Sequence, residues 1–178
     1  MKWATLLIIT AIASLSGCNQ NYKVMEVIDG DTIIVKPYMV VRIIGIDAPE
    51  VDSESQKQKD DILKYNSNSE LESKLAFESK SELQRLLLNK TVTLKNSPNV
   101  EQEIQENGRA GRELRFVYIS STDVGKHMLE KGYARLWDKS FNPISYSHLK
   151  ESEYSADETK AKDSGLGIWQ KISTEKKE

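Results

Sequence analysis

The chain is poor in the residues that staple or metallate small proteins. Its 178 residues include one cysteine, Cys18, and two histidines, His127 and His148. A single thiol excludes an intrachain disulfide. Two histidines far apart, with no second ligand near either, exclude an ordinary zinc site. His127 falls in a helical stretch and reads as a surface or structural residue. Basic residues are not in excess either: Lys and Arg number 25 against 27 Asp and Glu, a net charge of −2. No bulk positive field is available to attract polyanions, so phosphate must be met by a local arrangement of Arg and Lys. The apolar stretch from Trp3 to Leu15 is too short for a comfortable bilayer span of roughly 20 residues.

That stretch follows Lys2 and precedes small residues, the pattern of an export signal. The sequence Leu15-Ser16-Gly17-Cys18 resembles the lipobox of bacterial lipoproteins. The resemblance implies cleavage before Cys18, lipid on its thiol, and a protein held at a membrane outside the cytoplasm. Residues 1–17 are then a signal peptide, 18–22 a tether, 23–170 one domain, and 171–178 a flexible tail. The 161 residues left after cleavage carry −3, because Lys2 is lost. They suffice to bury a core without staples.

Within the domain, Val24, Val27 and Ile28 lead to Asp29-Gly30, and Thr32 to Val35 follow. Asp-Gly between β-formers predicts a two-residue type I′ hairpin, with φ > 0 at both central residues. Pro37-Tyr38 marks the next turn. The third strand, "MVVRIIGI" from Met39, is apolar on both faces except for Arg42 and Gly45, as in a small barrel covered by helices. Residues 51–70 are polar and predict a mobile surface loop. An amphipathic helix over about 70–89 presents Leu71, Leu75, Ala76, Leu83, Leu86 and Leu87 on one face. Strands are expected at 91–96 and 112–120. A helix capped by Thr122 or Asp123 runs through Lys131 to a Gly132 stop. "YARLW" is extended, and a last helix spans about 146–164. The fold class is α+β, a five-stranded OB-like barrel with three helices. A monomer is expected.

Four charges interrupt apolar β-structure: Asp31, Arg42, Asp47 and Glu50. Taken singly each has a structural explanation: Asp47 begins a turn before Pro49, and Arg42 makes an ion pair with either acid. Together they are costly unless paired or metal-bound. Three carboxylates beside a buried arginine suit a hard cation such as Ca²⁺.

The segments "VIDGDTIIV", "RIIGIDAPE", "GRELRFVYI", "GKHMLEKGYARL" and "GLGIW" resemble, in order, those of the staphylococcal (micrococcal) nuclease family. They extend over about 24–169. The resemblance implies an OB barrel and a Ca²⁺-dependent nuclease acting on DNA, RNA or both. It implies Asp31, Asp47 and the backbone carbonyl of Ala48 as metal ligands, Glu50 as general base or water-positioner, and Arg42 and Arg112 as phosphate clamps. Arg109 competes with Arg112 for the second clamp in "NGRAGREL". Asp29 lies near the metal without being required. The family's base-packing tyrosines are missing, with Ala110 before Gly111 and no Tyr-x-Tyr after "YARL". Trp137 either stacks on a base or packs in the core. The rival reading is a non-catalytic OB-fold binding module, which has no need to keep all five of Asp31, Arg42, Asp47, Glu50 and the second arginine.

Overall fold

The computed structural model describes residues 20–96, 111–137 and 148–170. Strands β1 (Gln20–Val27), β2 (Thr32–Val35) and β3 (Met39–Ile43) form an antiparallel meander. Strand β5 (Thr91–Lys95) pairs with β1, and β6 (Glu113–Ile119) pairs with β5. A parallel pairing of β3 with β6 closes the sheet on itself, giving a five-stranded barrel in the order β3-β2-β1-β5-β6. The short strand β7 (Thr122–Asp123) extends β6. Outside the barrel, β4 (Ile46–Asp47) pairs with β8 (Arg135–Leu136), setting Asp47 opposite Arg135. The α+β, OB-like barrel expected from the sequence is present. Strand β1 already includes Gln20, which pairs with Leu94, so the expected tether over 18–22 is shorter than read.

Val24, Val27, Ile33, Val35, Val41, Ile43, Leu114 and Val117 belong to the buried core. Alternation sends Ile33 with Val35, and Val41 with Ile43, to the same face of their strands. Helix α2 (Ser69–Leu87) covers one end with Leu75, Ala76, Leu83 and Leu87. Its start is set by Asn68, whose side chain accepts a hydrogen bond from the Leu71 N–H at 2.9 Å. Helix α3 (Val124–Glu130) is capped by Asp123 and stops before Gly132, whose φ of 71° is left-handed. His127 is structural, with Nε2 2.7 Å from Glu82 Oε1 on α2. Helix α4 (His148–Asp163) inserts Tyr154, whose ring lies against the backbone of Gly45 and Gly125 and whose hydroxyl donates to Asp123.

Two further expectations need correction. The first concerns residues 51–70, read as a mobile loop. They hold helix α1 (Gln56–Tyr65), so four helices surround the barrel among the described residues, not three. Ser55 Oγ accepts the Gln58 N–H to start α1, and Asn66 ends it in the left-handed region at φ 51°. The residues α1 buries are Gln58 and Asp61, both polar, and Leu63 points to solvent. Hydrophobic periodicity therefore gave no sign of it.

The second correction concerns Asp29-Gly30. Neither residue has φ > 0, and the connection is not a two-residue type I′ turn. Ile28 N–H donates to the Thr32 carbonyl, and Asp29 Oδ1 accepts the Asp31 N–H at 3.0 Å. Gly30 is needed for a tertiary reason. A Cβ there would lie 2.6 Å from Ala48 Cβ and closer still to Ser79 Oγ on α2. Ser79 is itself fixed, donating to the Tyr133 carbonyl at 2.7 Å.

Candidate active site

The loop after β1, the end of β3 and the segment after β4 converge at one end of the barrel. They bring Asp31, Arg42, Asp47, Ala48 and Glu50 together. Asp31 is buried and accepts two hydrogen bonds, from Thr32 Oγ1 at Oδ1 and from the Ala48 N–H at Oδ2, the latter at 2.6 Å. Its Oδ1 also forms an ion pair with Arg42 Nη1. Arg42, also buried, donates Nη2 to Asp47 Oδ1 at 2.8 Å. Its guanidinium lies 5.2 Å from the Trp137 ring centroid, in range of a cation–π contact. Trp137 packs on the core and donates its backbone N–H to Gly45, so it supports Arg42 from behind.

Glu50 is partly open to solvent. Burial is the main cause raising its pKa above the usual carboxylate value, with the charges of Asp29 and Asp47 adding to it; Lys57 and Arg42 pull the other way. Asp29 thus acts on the site through its field and through its hydrogen bond to the Asp31 N–H. Arg112 directly precedes β6, and the parallel register sets Glu113 beside Val41 and Leu114 beside Arg42. Continuing that register sets Arg112 beside Val40, towards the Met39 start of β3 and two positions back from Arg42. Arg109 and Cys18 lie outside the described residues.

Four residues, Lys57, Asp61, Glu72 and Arg135, were missed by sequence reasoning. Lys57, on the first turn of α1, reaches over the pocket. Its Nζ donates to the Ala48 carbonyl at 2.8 Å and to Asp61 Oδ2 at 3.3 Å. It lies 3.4 Å from Asp47 Oδ2 and 3.6 Å from Glu50 Oε1. Asp61 in turn meets Arg135 Nη1 at 3.5 Å, and Arg135 Nη2 reaches Glu72 Oε1 at 3.2 Å. Arg135 and Glu72 are 2% and 1% exposed, and the guanidinium also lies 3.9 Å from the Tyr65 ring centroid. Burial raises the pKa of Asp61, with Lys57 and Arg135 opposing it. The one available signal was that Arg135 and Glu72 are charges at apolar-spaced positions, which require partners when buried.

Among the described residues, no three acidic, His or Cys side chains close on one point tightly enough to hold a metal alone. The donor chemistry nevertheless fits Ca²⁺. Three oxygens, from Asp47, Ala48 and Glu50, line one side of a point at which a cation, the Lys57 ammonium, already stands, with Asp61 on the helix beside it. All are hard oxygen donors of the kind Ca²⁺ takes.

A small closed barrel whose mouth gathers paired arginine, carboxylates and an oxygen-lined cation position defines a class of OB-like proteins suited to phosphate chemistry. Comparison with known proteins gives the family: residues 40–171 match the Staphylococcal nuclease homologue family, and the chain belongs to it. It is 33% identical over 127 residues to the thermonuclease of Staphylococcus hyicus, an alignment covering 69% of this chain. The aligned part is 63% of that relative's length.

Proposed function

We propose that the protein is a Ca²⁺-dependent nuclease that hydrolyses phosphodiester bonds of DNA, RNA or both. The observation that carries the reading is the Asp31–Arg42–Asp47 chain of contacts, with Glu50 and the Ala48 carbonyl at its open side. Asp31, Asp47 and the Ala48 carbonyl would hold the metal. When bound, Ca²⁺ supplies positive charge beside the scissile phosphate. Arg42 orients the phosphate through a planar fork matched to its oxygens, and Arg112 is the second clamp. These fixed donors oppose the negative charge that builds on the five-coordinate phosphorus. Glu50, raised in pKa and open to water, takes the proton of the attacking water. Trp137 keeps Arg42 in place.

The test is a digest of single- and double-stranded DNA and RNA by the purified protein. Cleavage is expected with Ca²⁺ and is expected to fall to background with EGTA. Undiminished cleavage in EGTA removes the metal from the mechanism, and no cleavage of any substrate removes the enzyme.

The anchoring reading rests on Leu15-Ser16-Gly17-Cys18. Among the described residues no helix is long and apolar enough to cross a membrane. A lipid on Cys18 would hold the domain, since acyl chains contribute about 0.8 kcal/mol per buried CH₂. Cys18→Ser is expected to move the protein from the membrane fraction to the soluble fraction and to abolish labelling by a fatty-acid probe. Retention of both labelling and membrane association would contradict it.

A further inference from the structure

We propose that Lys57 is a tethered competitor for the metal: its ammonium neutralises the oxygen-lined pocket until Ca²⁺ displaces it towards Asp61. This rests on the calcium reading above and adds to it a residue of α1.

The geometry supports the exchange. Lys57 Nζ is hydrogen-bonded to the Ala48 carbonyl at 2.8 Å and stands 3.4 Å from Asp47 Oδ2. Both oxygens are assigned above to the metal. Ca²⁺ takes such oxygens at about 2.3–2.6 Å, so the two cations cannot use the same carbonyl and carboxylate face together. Arg42 is already committed to Asp31 and Asp47, and Arg135 is shared between Asp61 and Glu72. Lys57 is therefore the cation that faces Glu50 and the outer oxygen of Asp47.

Its position on the helix offers Lys57 no favourable charge. Lys57 is the second residue of α1, where the helix dipole disfavours positive charge, and the first turn contains no acid. The pocket supplies what the helix does not.

The exit route is also present. Asp61 lies one turn further along α1 and already touches Nζ at 3.3 Å. Lys57 can leave the Ala48 carbonyl, Asp47 and Glu50 by side-chain rotation and keep Asp61 as its partner. The helix itself need not move. Its far end is held by Asp61 against Arg135 and by Tyr65, whose ring meets that of Trp169 edge-on at 6.3 Å. The lysine side chain is 31% exposed, so one side of the path opens to solvent.

Two readouts test this without relying on activity. In calorimetric titration with Ca²⁺, Lys57→Met is expected to bind more tightly than wild type, by a factor within the roughly 5–150-fold range of coupled equilibria. In wild-type protein, the rate of reductive methylation at Lys57, read by mass spectrometry, is expected to rise several-fold when Ca²⁺ is added. The exposed Lys59 on the same helix should not change. Equal affinity in the two proteins, with Ca²⁺ bound by both, overturns the competition and leaves the calcium reading intact. Tighter binding with no change in Lys57 labelling also overturns it, reducing Lys57 to a distant repulsive charge. No Ca²⁺ binding by either protein removes the calcium reading and the competition with it.

Discussion

Glu50→Gln is expected to lower the rate of phosphodiester cleavage by about 10²–10⁴-fold, the usual contribution of a positioned general base. The substitution removes a proton acceptor and little else. Glu50 is partly exposed, and its recorded ion-pair partner is Lys57 at 3.6 Å. Burial raises its pKa, which means that the fold disfavours the charged form. The Gln variant should therefore melt at the same temperature as wild type or slightly above it. A functional acid held against its environment is a common cost of an active site. Parallel measurement of single-turnover rate and thermal unfolding separates the outcomes. A rate unchanged within threefold would sink Glu50 as the base. A lost rate accompanied by a lost fold would instead show that Glu50 holds the loop. Arg42→Ala is less clean, because it also strands Asp31, which is buried against Arg42.

The largest stability effect is expected at Arg135, away from the reacting groups. Arg135→Leu leaves Glu72, 1% exposed, without its cation, and leaves Asp61 with Lys57 alone. Breaking a buried ion pair from one side costs about 3–5 kcal/mol, because the abandoned charge remains desolvated. Urea unfolding should show a loss of that size, with a smaller loss for Arg135→Leu combined with Glu72→Gln, since the second change removes the stranded charge. The two effects are in contact and should not add. A loss below about 1 kcal/mol in the single variant would mean that the cluster is well solvated, contrary to its burial.

Much of the domain was legible in local pattern. The meander, helix α2, strands β5 and β6 and the capped helix α3 follow from periodicity, from the cap at Thr122 or Asp123 and from a glycine stop. The core of the site was legible for the opposite reason. Asp31, Arg42 and Asp47 break apolar runs, and such breaks require a partner. What escaped was held by contacts that leave no local trace. Helix α1 buries Gln58 and Asp61, so its inward face looks like a solvated one. Arg135 meets Glu72 and Asp61 across 63 and 74 residues of chain, and Asp61 is not marked by its neighbours. Gly30 was given a conformational role because Asp-Gly is a turn signal, whereas its requirement is space against a helix that starts 39 residues later. Lys57 followed α1 out of view, and with it the nearest cation to Glu50.

That close seat of Gly30 on Ser79 makes the site a check on its own assembly. Asp31 follows Gly30 directly, and the loop can approach only where α2 presents a small side chain. A one-residue slip in the docking of α2 would offer Glu78 or Lys80 at the contact and push the loop outward. Asp31 would then lose the Ala48 N–H and Arg42 together. A chain with its barrel formed but its helix misdocked has the right residues and no competent site. A competent site thus depends on the docking of α2 and not on the closure of the barrel alone.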